Sequence, residues 1–210
     1  FGQSSKPSPS AAGERLTIPN FAKDVVALLD ALSVQRAIVV GHSMGSIVAH
    51  YLASAFPERV MACVPVGTTT TAKGNEGLEG VASMLADEQF TIDEAFTREF
   101  QTGTIHDVAA VPPAFVEGII SASLSAPQHC WLGALRSLGA HDHTDQLPKA
   151  NCSSLVIMGE ADQLFDRTCN EAVAKALGAN LEIVSDAGHS PNWDRPADVA
   201  KLIHDFTQTM

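Results

Sequence analysis

The apolar positions that follow Thr17 recur at helical spacing. Thr17 can cap a helix, and Pro19 suits the first turn of one, so a helix is predicted to begin here. Its predicted buried face comprises Phe21, Val25, Leu28, Leu29 and Leu32. The spacing of these five residues places them on one side of the helix.

Short continuous apolar runs come next and alternate with helical patterns. Residues 37–40 and 60–66 predict buried strands, and residues 44–56 predict a helix between them that Pro57 ends. The alternation resumes near the end of the chain, with strands predicted at 154–158 and 181–184 and helices at 168–177 and 196–206. This pattern predicts an α/β fold with a parallel sheet flanked by helices.

The middle of the chain lacks this alternation. Its patterns predict helices and no strand. The helices are predicted at residues 77–86, 91–100, 113–124 and 129–138. We therefore expect core parts at residues 1–67 and 150–210, and an inserted helical cap at residues 68–149.

Composition narrows the class of partner. The chain has 210 residues, is 45% hydrophobic and carries a formal net charge of −11, which suits one globular domain or one domain with an insertion. The negative charge argues against nucleic acid or an anionic membrane surface as the main partner. No apolar run approaches the roughly 18 residues of a membrane span.

The cysteines and the first residue bear on the compartment. Cys63, Cys130, Cys152 and Cys169 are widely spaced, which favours reduced thiols over a disulfide framework. The cytoplasm is therefore the default location. Because the chain begins with Phe1 in a loop-like segment, the lack of a signal peptide carries no weight here.

A Gly-x-Ser-x-Gly motif at residues 41–45 lies between a predicted strand and a predicted helix. In that context the motif forms a nucleophile elbow, a sharp turn that projects the hydroxyl of Ser43. The backbone N–H of Met44, at the helix start, can then donate to an oxyanion. The alternative is a glycine-rich turn with an incidental serine.

His189 is the candidate base that Ser43 requires. It lies in a loop between the predicted strand 181–184 and the last helix, and the loops after parallel strands converge on one edge of the sheet. The other histidines suit this role less well. His50 and His204 lie within helices, His42 is expected to point along the strand away from the serine, and His141 and His143 flank an aspartate with too few ligands for a metal.

Asp162 is the candidate carboxylate for the imidazole. It follows the strand 154–158, and the interval to His189 fits one helix and one strand. The order serine, aspartate, histidine is the one expected of a strand–elbow–helix hydrolase. The alternative carboxylates are Glu160, Asp166, Asp186 and Asp194.

The chain resembles the α/β-hydrolase fold superfamily, specifically its small capped esterases, lactonases and C–C bond hydrolases. The resemblance rests on residues 1–7, 41–45, 56–60 and 159–162, and on Gly188-His189 with Trp193 and Pro196. It implies serine chemistry, with no metal and no organic cofactor. Members with dehalogenase or epoxide hydrolase activity carry an aspartate where Ser43 stands, which disfavours both activities.

The resemblance also implies a departure. Segments similar to the family's fifth to eighth strands are present, whereas the first four strands are absent, together with the His-Gly loop that supplies a second oxyanion donor. Residues 37–40 would then form an exposed apolar edge. We expect either a fragment of a longer hydrolase or a partner chain that covers this edge.

The leading hypothesis is a serine hydrolase of the carboxylic ester class (EC 3.1) that acts on a small, mainly apolar ester or lactone. The alternatives are C–C bond hydrolysis or perhydrolysis by the same residues, and a non-catalytic binding module or inactive fragment. The oligomeric state stays open. The candidate substrate-binding residues are His42, Met84, Phe96, Phe100, Phe115, Trp131 and Trp193.

Overall fold

A computed structural model describes residues 2–210 of the chain, so Phe1 of the predicted segment 1–7 lies outside the described residues. Within that range, four parallel strands form one sheet in the order β1-β2-β3-β4. The strands are β1 (Ala37–His42), β2 (Val60–Val66), β3 (Ser153–Gly159) and β4 (Asn180–Val184). All four therefore end at the same edge of the sheet, and the predicted α/β class is confirmed.

Of the ten α-helices in the described range, eight lie close to predicted positions, and the two shortest, at residues 12–15 and 191–194, were not predicted. They are α1 (Ala12–Arg15), α2 (Ile18–Ala31), α3 (Met44–Ala55), α4 (Glu76–Ala86), α5 (Glu94–Thr102), α6 (Pro113–Leu124), α7 (Gln128–Ala140), α8 (Arg167–Leu177), α9 (Pro191–Asp194) and α10 (Pro196–Gln208). Thr17 caps α2 as predicted, since its side chain accepts a hydrogen bond from the backbone of Asn20. Helix α5 begins later than predicted because Asp93 caps it through the backbone N–H of Phe96.

Alternate residues of the central strands face opposite layers of helices. Val64 and Val66 pack with Leu155 and Ile157 beneath α10. Cys63, the residue before Val64, packs against α2 and α3 on the other face, together with Leu52 and Ala53. This period of two is the one that β-strand geometry imposes, and it makes the core a three-layer structure.

Strand β1 lies at one edge of the described sheet. It was predicted as a fully buried strand, and this is wrong, because Ile38 and Val40 face outwards and Val40 is 48% exposed. The predicted buried face of α2 is also wrong in part, since Leu28 and Leu32 are exposed, Leu32 by 63%. Helical spacing identifies an apolar stripe but does not show which part of the stripe a neighbour covers.

The segment between β2 and β3, residues 67–152, is here named the helical insert. It contains α4 to α7, and among its described residues no strand occurs. Thr71 and Asp142 form an isolated antiparallel bridge, so the chain leaves the core and returns to it at adjacent points. The division into core parts 1–67 and 150–210 and a cap at 68–149 stays a prediction. Among the described residues, no helix is long and apolar enough to cross a membrane.

Candidate active site

Ser43 is the single residue between β1 and α3. Its φ of 55° lies in the left-handed region, which a residue with a side chain enters at a cost of about 1–3 kcal/mol. The surrounding hydrogen bonds hold this conformation: Ser43 N–H donates to Val66 O at 3.0 Å, and Ser46 N–H donates to Ser43 O at 2.8 Å. The strained turn lifts the serine side chain clear of the strand and the helix.

The two glycines of the motif play different parts. A Cβ on Gly41 would lie 2.1 Å from Gly45 O, so only glycine allows strand β1 to approach α3 this closely. A Cβ on Gly45 would meet no described heavy atom within 4 Å. The expectation that both glycines make room for this approach is therefore right only for Gly41.

The three predicted residues lie within hydrogen-bond distance of one another. His189 Nε2 is 2.9 Å from Ser43 Oγ, and His189 Nδ1 is 3.0 Å from Asp162 Oδ2. A carboxylate only accepts, so Nδ1–H donates to Asp162, and Nε2 is left to accept from the Ser43 hydroxyl. His189 and Asp162 are both buried, whereas Ser43 is partly exposed.

The carboxylate of Asp162 is held on both oxygens. Oδ2 receives the imidazole N–H, while Oδ1 accepts from the backbone N–H groups of Leu164 at 2.9 Å and Phe165 at 3.0 Å. Hydrogen bonds to a carboxylate are stronger than those between neutral groups, so these three bonds hold the side chain of Asp162 in one orientation. Asp162 can therefore fix the orientation of the His189 ring.

The rival carboxylates have other partners. Glu160 is exposed, Asp166 caps α8 through Cys169 N–H at 2.9 Å, and Asp186 is exposed with Arg195 3.5 Å away. Asp194 accepts from backbone groups, as described below. Among the described residues, Asp162 is the carboxylate that contacts the imidazole of His189.

The loop that carries His189 is held at three consecutive residues. Gly188 N–H donates to Asp194 Oδ2 at 2.8 Å, and Ser190 N–H donates to Thr104 O at 2.9 Å. Asp194 also accepts from His106 N–H, at 3.0 Å on Oδ1. Because Thr104 and His106 belong to the helical insert, the insert directly fixes the backbone beside His189.

His42 supplies the third point of attachment, and its predicted direction is wrong. Instead of pointing away, its Nε2 lies 2.9 Å from His189 O, and its ring centroid is 5.2 Å from that of His189. Burial is the larger cause that lowers the pKa of His42 to about 4, and the proximity of the His189 imidazole adds to it. The ring is therefore neutral at pH 7, and its Nε2–H donates to the carbonyl.

The elbow motif offered a signal for His42, because a side chain next to the serine stays close to the site whichever way it points. Asp194 and Thr104 gave no such signal. Their partners depend on how the insert folds back, with His106 and Asp194 separated by 88 positions in the chain. Sequence spacing cannot reveal a contact of this kind.

Met44 opens α3 immediately after Ser43. The first N–H groups of a helix have no intrahelical partner and lie at its positive end. The backbone N–H of Met44 can therefore donate to a negatively charged oxygen that forms on a group bound to Ser43.

The predicted aromatic residues divide into three groups. Trp131 lines a cavity of about 330 Å³ with Met44, and Phe100 lines a second cavity of about 610 Å³ with His189. The third group is Trp193 and Phe115. The ring centroid of Trp193 lies 5.7 Å from that of His42 and 6.0 Å from that of Phe115.

Phe96 and Met84 line neither cavity. Phe96 instead packs within the insert, its ring centroid 6.2 Å from that of Phe100 and 6.0 Å from that of Trp131, and Met84 is exposed. Neither residue lines the cavities that contain Met44 or His189, and a substrate-binding role for them stays a prediction.

A second cluster of histidines lies where the insert joins the core. His50 stacks on His143 with ring centroids 5.5 Å apart, and His143 stacks on His141 at 5.5 Å. His50 Nε2–H donates to Thr69 O, and no described group forms a hydrogen bond with its Nδ1. Burial is the main cause that lowers the pKa of His50 to about 3 and of His143 to about 4. The described residues hold no cluster of three or more ligands suited to a metal.

The four cysteines are free thiols. Cys63 and Cys130 are buried, and burial raises the pKa of both thiols. A raised pKa keeps a thiol protonated and unreactive at neutral pH. Their environment therefore fits packing rather than chemistry.

Comparisons with known proteins bear on the family and on the fold. A family model described as the alpha/beta hydrolase fold matches residues 1–196. The 2-hydroxymuconate semialdehyde hydrolase of Pseudomonas sp. (strain CF600) is 27% identical, the match covering 98% of this chain and 72% of that protein. The 3-oxoadipate enol-lactonase 1 of Acinetobacter baylyi is 26% identical over 94% of this chain and 73% of that protein. Among solved structures, a hydrolase from Pseudomonas aeruginosa PA01 superposes with a TM-score of 0.78 and 27% identity, covering 97% of this chain and 74% of that chain.

Proposed function

The chain belongs to the alpha/beta hydrolase fold family, and from this premise we propose that it is a serine hydrolase that cleaves a small, mainly apolar carboxylic ester or lactone. One observation carries the proposal: the continuous hydrogen bonding from Ser43 Oγ through His189 to Asp162. A serine hydroxyl is a poor nucleophile until a base removes its proton, and this arrangement supplies that base.

The first half of the reaction forms an acyl-enzyme. His189 Nε2 takes the proton of Ser43 as Oγ attacks the carbonyl carbon, and the carbonyl oxygen becomes an oxyanion. The Met44 N–H donates to this oxyanion. When the bond to the leaving oxygen breaks, His189 Nε2 gives the proton to that oxygen, and the acyl group stays on Ser43.

The second half returns the enzyme to its starting state. His189 takes a proton from water as the water oxygen attacks the acyl carbon, and the same oxyanion site is used again. Collapse of this intermediate releases the carboxylic acid and returns the proton to Ser43. Asp162 orients the imidazole and stabilises its protonated form in both halves. Every step uses protein groups and water, so the proposal needs no metal and no organic cofactor.

A second candidate is hydrolysis of a carbon–carbon bond by the same three residues. It is favoured by the 27% identity to the 2-hydroxymuconate semialdehyde hydrolase of Pseudomonas sp.. A panel of aryl esters, lactones and vinylogous diketones separates the two candidates, since a C–C hydrolase turns over the diketone at a higher kcat/KM than the esters.

A fluorophosphonate probe tests the proposal directly, because it labels a serine that a base has activated. We expect a single adduct on Ser43 by peptide mass, lost in Ser43→Ala and suppressed in His189→Ala, and turnover of short aryl esters that Ser43→Ala abolishes. Ser83→Ala on the exposed side of α4 is the matched control and keeps both activities. A folded chain that binds esters but neither labels nor turns them over would support a binding module instead.

A further inference from the structure

The cavity next to Met44 is formed by the elbow on one side and the helical insert on the other. Its volume is about 330 Å³. Ligand pockets span about 300–1,000 Å³, so this cavity suits a small group. Its wall is formed mainly by Met44, Trp131 and three alanines, Ala122, Ala126 and Ala134.

The polar groups of this wall are hydrogen-bonded to each other. Gln101 Nε2 donates to Ser123 Oγ at 2.8 Å, and Trp131 Nε1 donates to Ser123 O at 3.3 Å. Among the described lining residues none carries a charge. A ligand in the cavity therefore meets an apolar surface, and a charged group would lose its hydration there without a partner.

The proposed chemistry fixes which part of the substrate enters this cavity. The leaving oxygen must lie within reach of His189 Nε2, because that nitrogen returns the proton. The acyl group lies on the other side of the carbonyl carbon, away from His189. The described lining of this cavity includes Met44, which follows Ser43, and does not include His189.

We propose that this cavity holds the acyl group of the substrate, that the acyl group is short, apolar and uncharged, and that Ala134 limits its length. The proposal rests on the proposed serine hydrolase function. Ala134 lies on α7 and is half-buried, so its methyl group stands at the cavity wall. A larger side chain at this position reduces the room for the acyl chain and leaves Ser43, Asp162 and His189 unchanged.

The experiment compares four p-nitrophenyl esters, the acetate, butanoate, octanoate and hydrogen succinate, which share one leaving group. For the unmodified chain we expect kcat/KM for the butanoate to exceed that for the hydrogen succinate by about tenfold or more, because the carboxylate cannot be solvated in the cavity. Equal kcat/KM for these two esters would overturn the proposal without any variant.

Two variants locate the cavity. Ala134→Leu is expected to lower kcat/KM for the butanoate relative to the acetate by about tenfold. The larger side chain fills the space that the additional methylene groups of the butanoate would occupy. The matched control is Ala82→Leu, since Ala82 is also a half-buried helical alanine but lines a separate cavity with Leu78 and Leu135. An unchanged butanoate-to-acetate ratio in Ala134→Leu, or the same change in Ala82→Leu, contradicts the proposal.

Labelling of Ser43 by the fluorophosphonate probe separates the two levels of inference. If the probe labels Ser43 and the chain hydrolyses the acetate, but the expected kcat/KM ratios between the esters are not observed, only the cavity assignment is wrong. If Ser43 does not label in the folded, unmodified chain, the serine hydrolase function itself is wrong.

Discussion

The carboxylate of Asp194 accepts a hydrogen bond from Gly188 N–H at 2.8 Å, one residue before His189. The same carboxylate accepts from His106 N–H in the helical insert. Gly188 is tightly enclosed there, since a Cβ on it would lie 3.0 Å from Thr104 O. One side chain thus ties the loop of the proposed base to a segment far away in the chain.

Asp194→Asn should lower kcat for a short aryl ester by about tenfold with little change in KM, because misplacement of the imidazole impairs proton transfer more than binding. An amide has one acceptor oxygen, so its NH₂ group faces one of the two backbone donors. Asp186→Asn is the control, since Asp186 lies in the loop that carries His189 and is exposed. Equal kcat values in the two variants would contradict this role.

His42→Phe should slow fluorophosphonate labelling of Ser43 by about tenfold, because it removes the donor to His189 O and leaves that carbonyl without this hydrogen bond. His42→Gln keeps an N–H donor on a side chain of similar reach and should recover part of the rate. Both rates are measured by stopping the labelling reaction at successive times and determining the labelled fraction by intact mass. Labelling of the Phe variant at the unmodified rate would rule out positioning through this bond.

Gly41→Ala and Gly45→Ala should have opposite effects on stability. The Cβ added at position 41 overlaps Gly45 O, so we expect a loss of about 3 kcal/mol in the free energy of unfolding. At position 45, within α3, alanine should increase stability by about 0.5–1 kcal/mol. Urea denaturation measures both free energies of unfolding. Similar losses of stability in the two variants would contradict the close approach of residue 41 to Gly45 O.

Asp162→Asn should reduce kcat by roughly 10⁴-fold while the chain stays folded, because an amide can hold His189 in the wrong tautomer. Asp166→Asn is the control. Asp166 caps α8, and asparagine caps helices as well as aspartate does, so kcat and stability should stay close to those of the unmodified chain. Steady-state kinetics with p-nitrophenyl acetate distinguish the two, and a mild effect of Asp162→Asn would transfer the role to another carboxylate.

The stacked histidines should weaken the fold at acid pH. The pKa of His143 is lowered in the folded state to about 4, so between its ordinary value of 6.5 and about 4 the unfolded chain binds more protons. Stability is therefore retained above pH 6.5 and lost as the pH falls through this window. His50 and His141 face the ring, and Asp142 and Lys149 are near enough to affect its pKa.

His143→Gln removes one of these groups, so its loss of stability between pH 6 and pH 5 should be smaller than that of the unmodified chain by about 1 kcal/mol per pH unit. His204→Gln, at an exposed position of α10, should leave the slope unchanged. Denaturation curves at several pH values measure the slopes. Parallel slopes in the two variants would assign the acid sensitivity to groups outside the stack.

The sequence was most informative where local rules act. The elbow at residues 41–45 and the loops of Asp162 and His189 follow directly after predicted strands, so parallel-sheet geometry alone predicted that these side chains would meet. It was least informative where contact depends on long-range packing. The direction of His42 follows its contact with His189 O, 147 positions away in the chain. The exposure of Leu32 depends on what covers α2 rather than on its spacing.

The bridge between Thr71 and Asp142 has an evolutionary consequence. A segment that leaves and re-enters a scaffold at one point can be lengthened, shortened or exchanged as a cassette, because Ser43 precedes it and Asp162 and His189 follow it. The residues of the proposed chemistry would be inherited unchanged through such an exchange, whereas the cavity wall would be replaced. A replacement cassette must reproduce the contacts of Thr104 with Ser190 and of His106 with Asp194, because these hold the loop of His189.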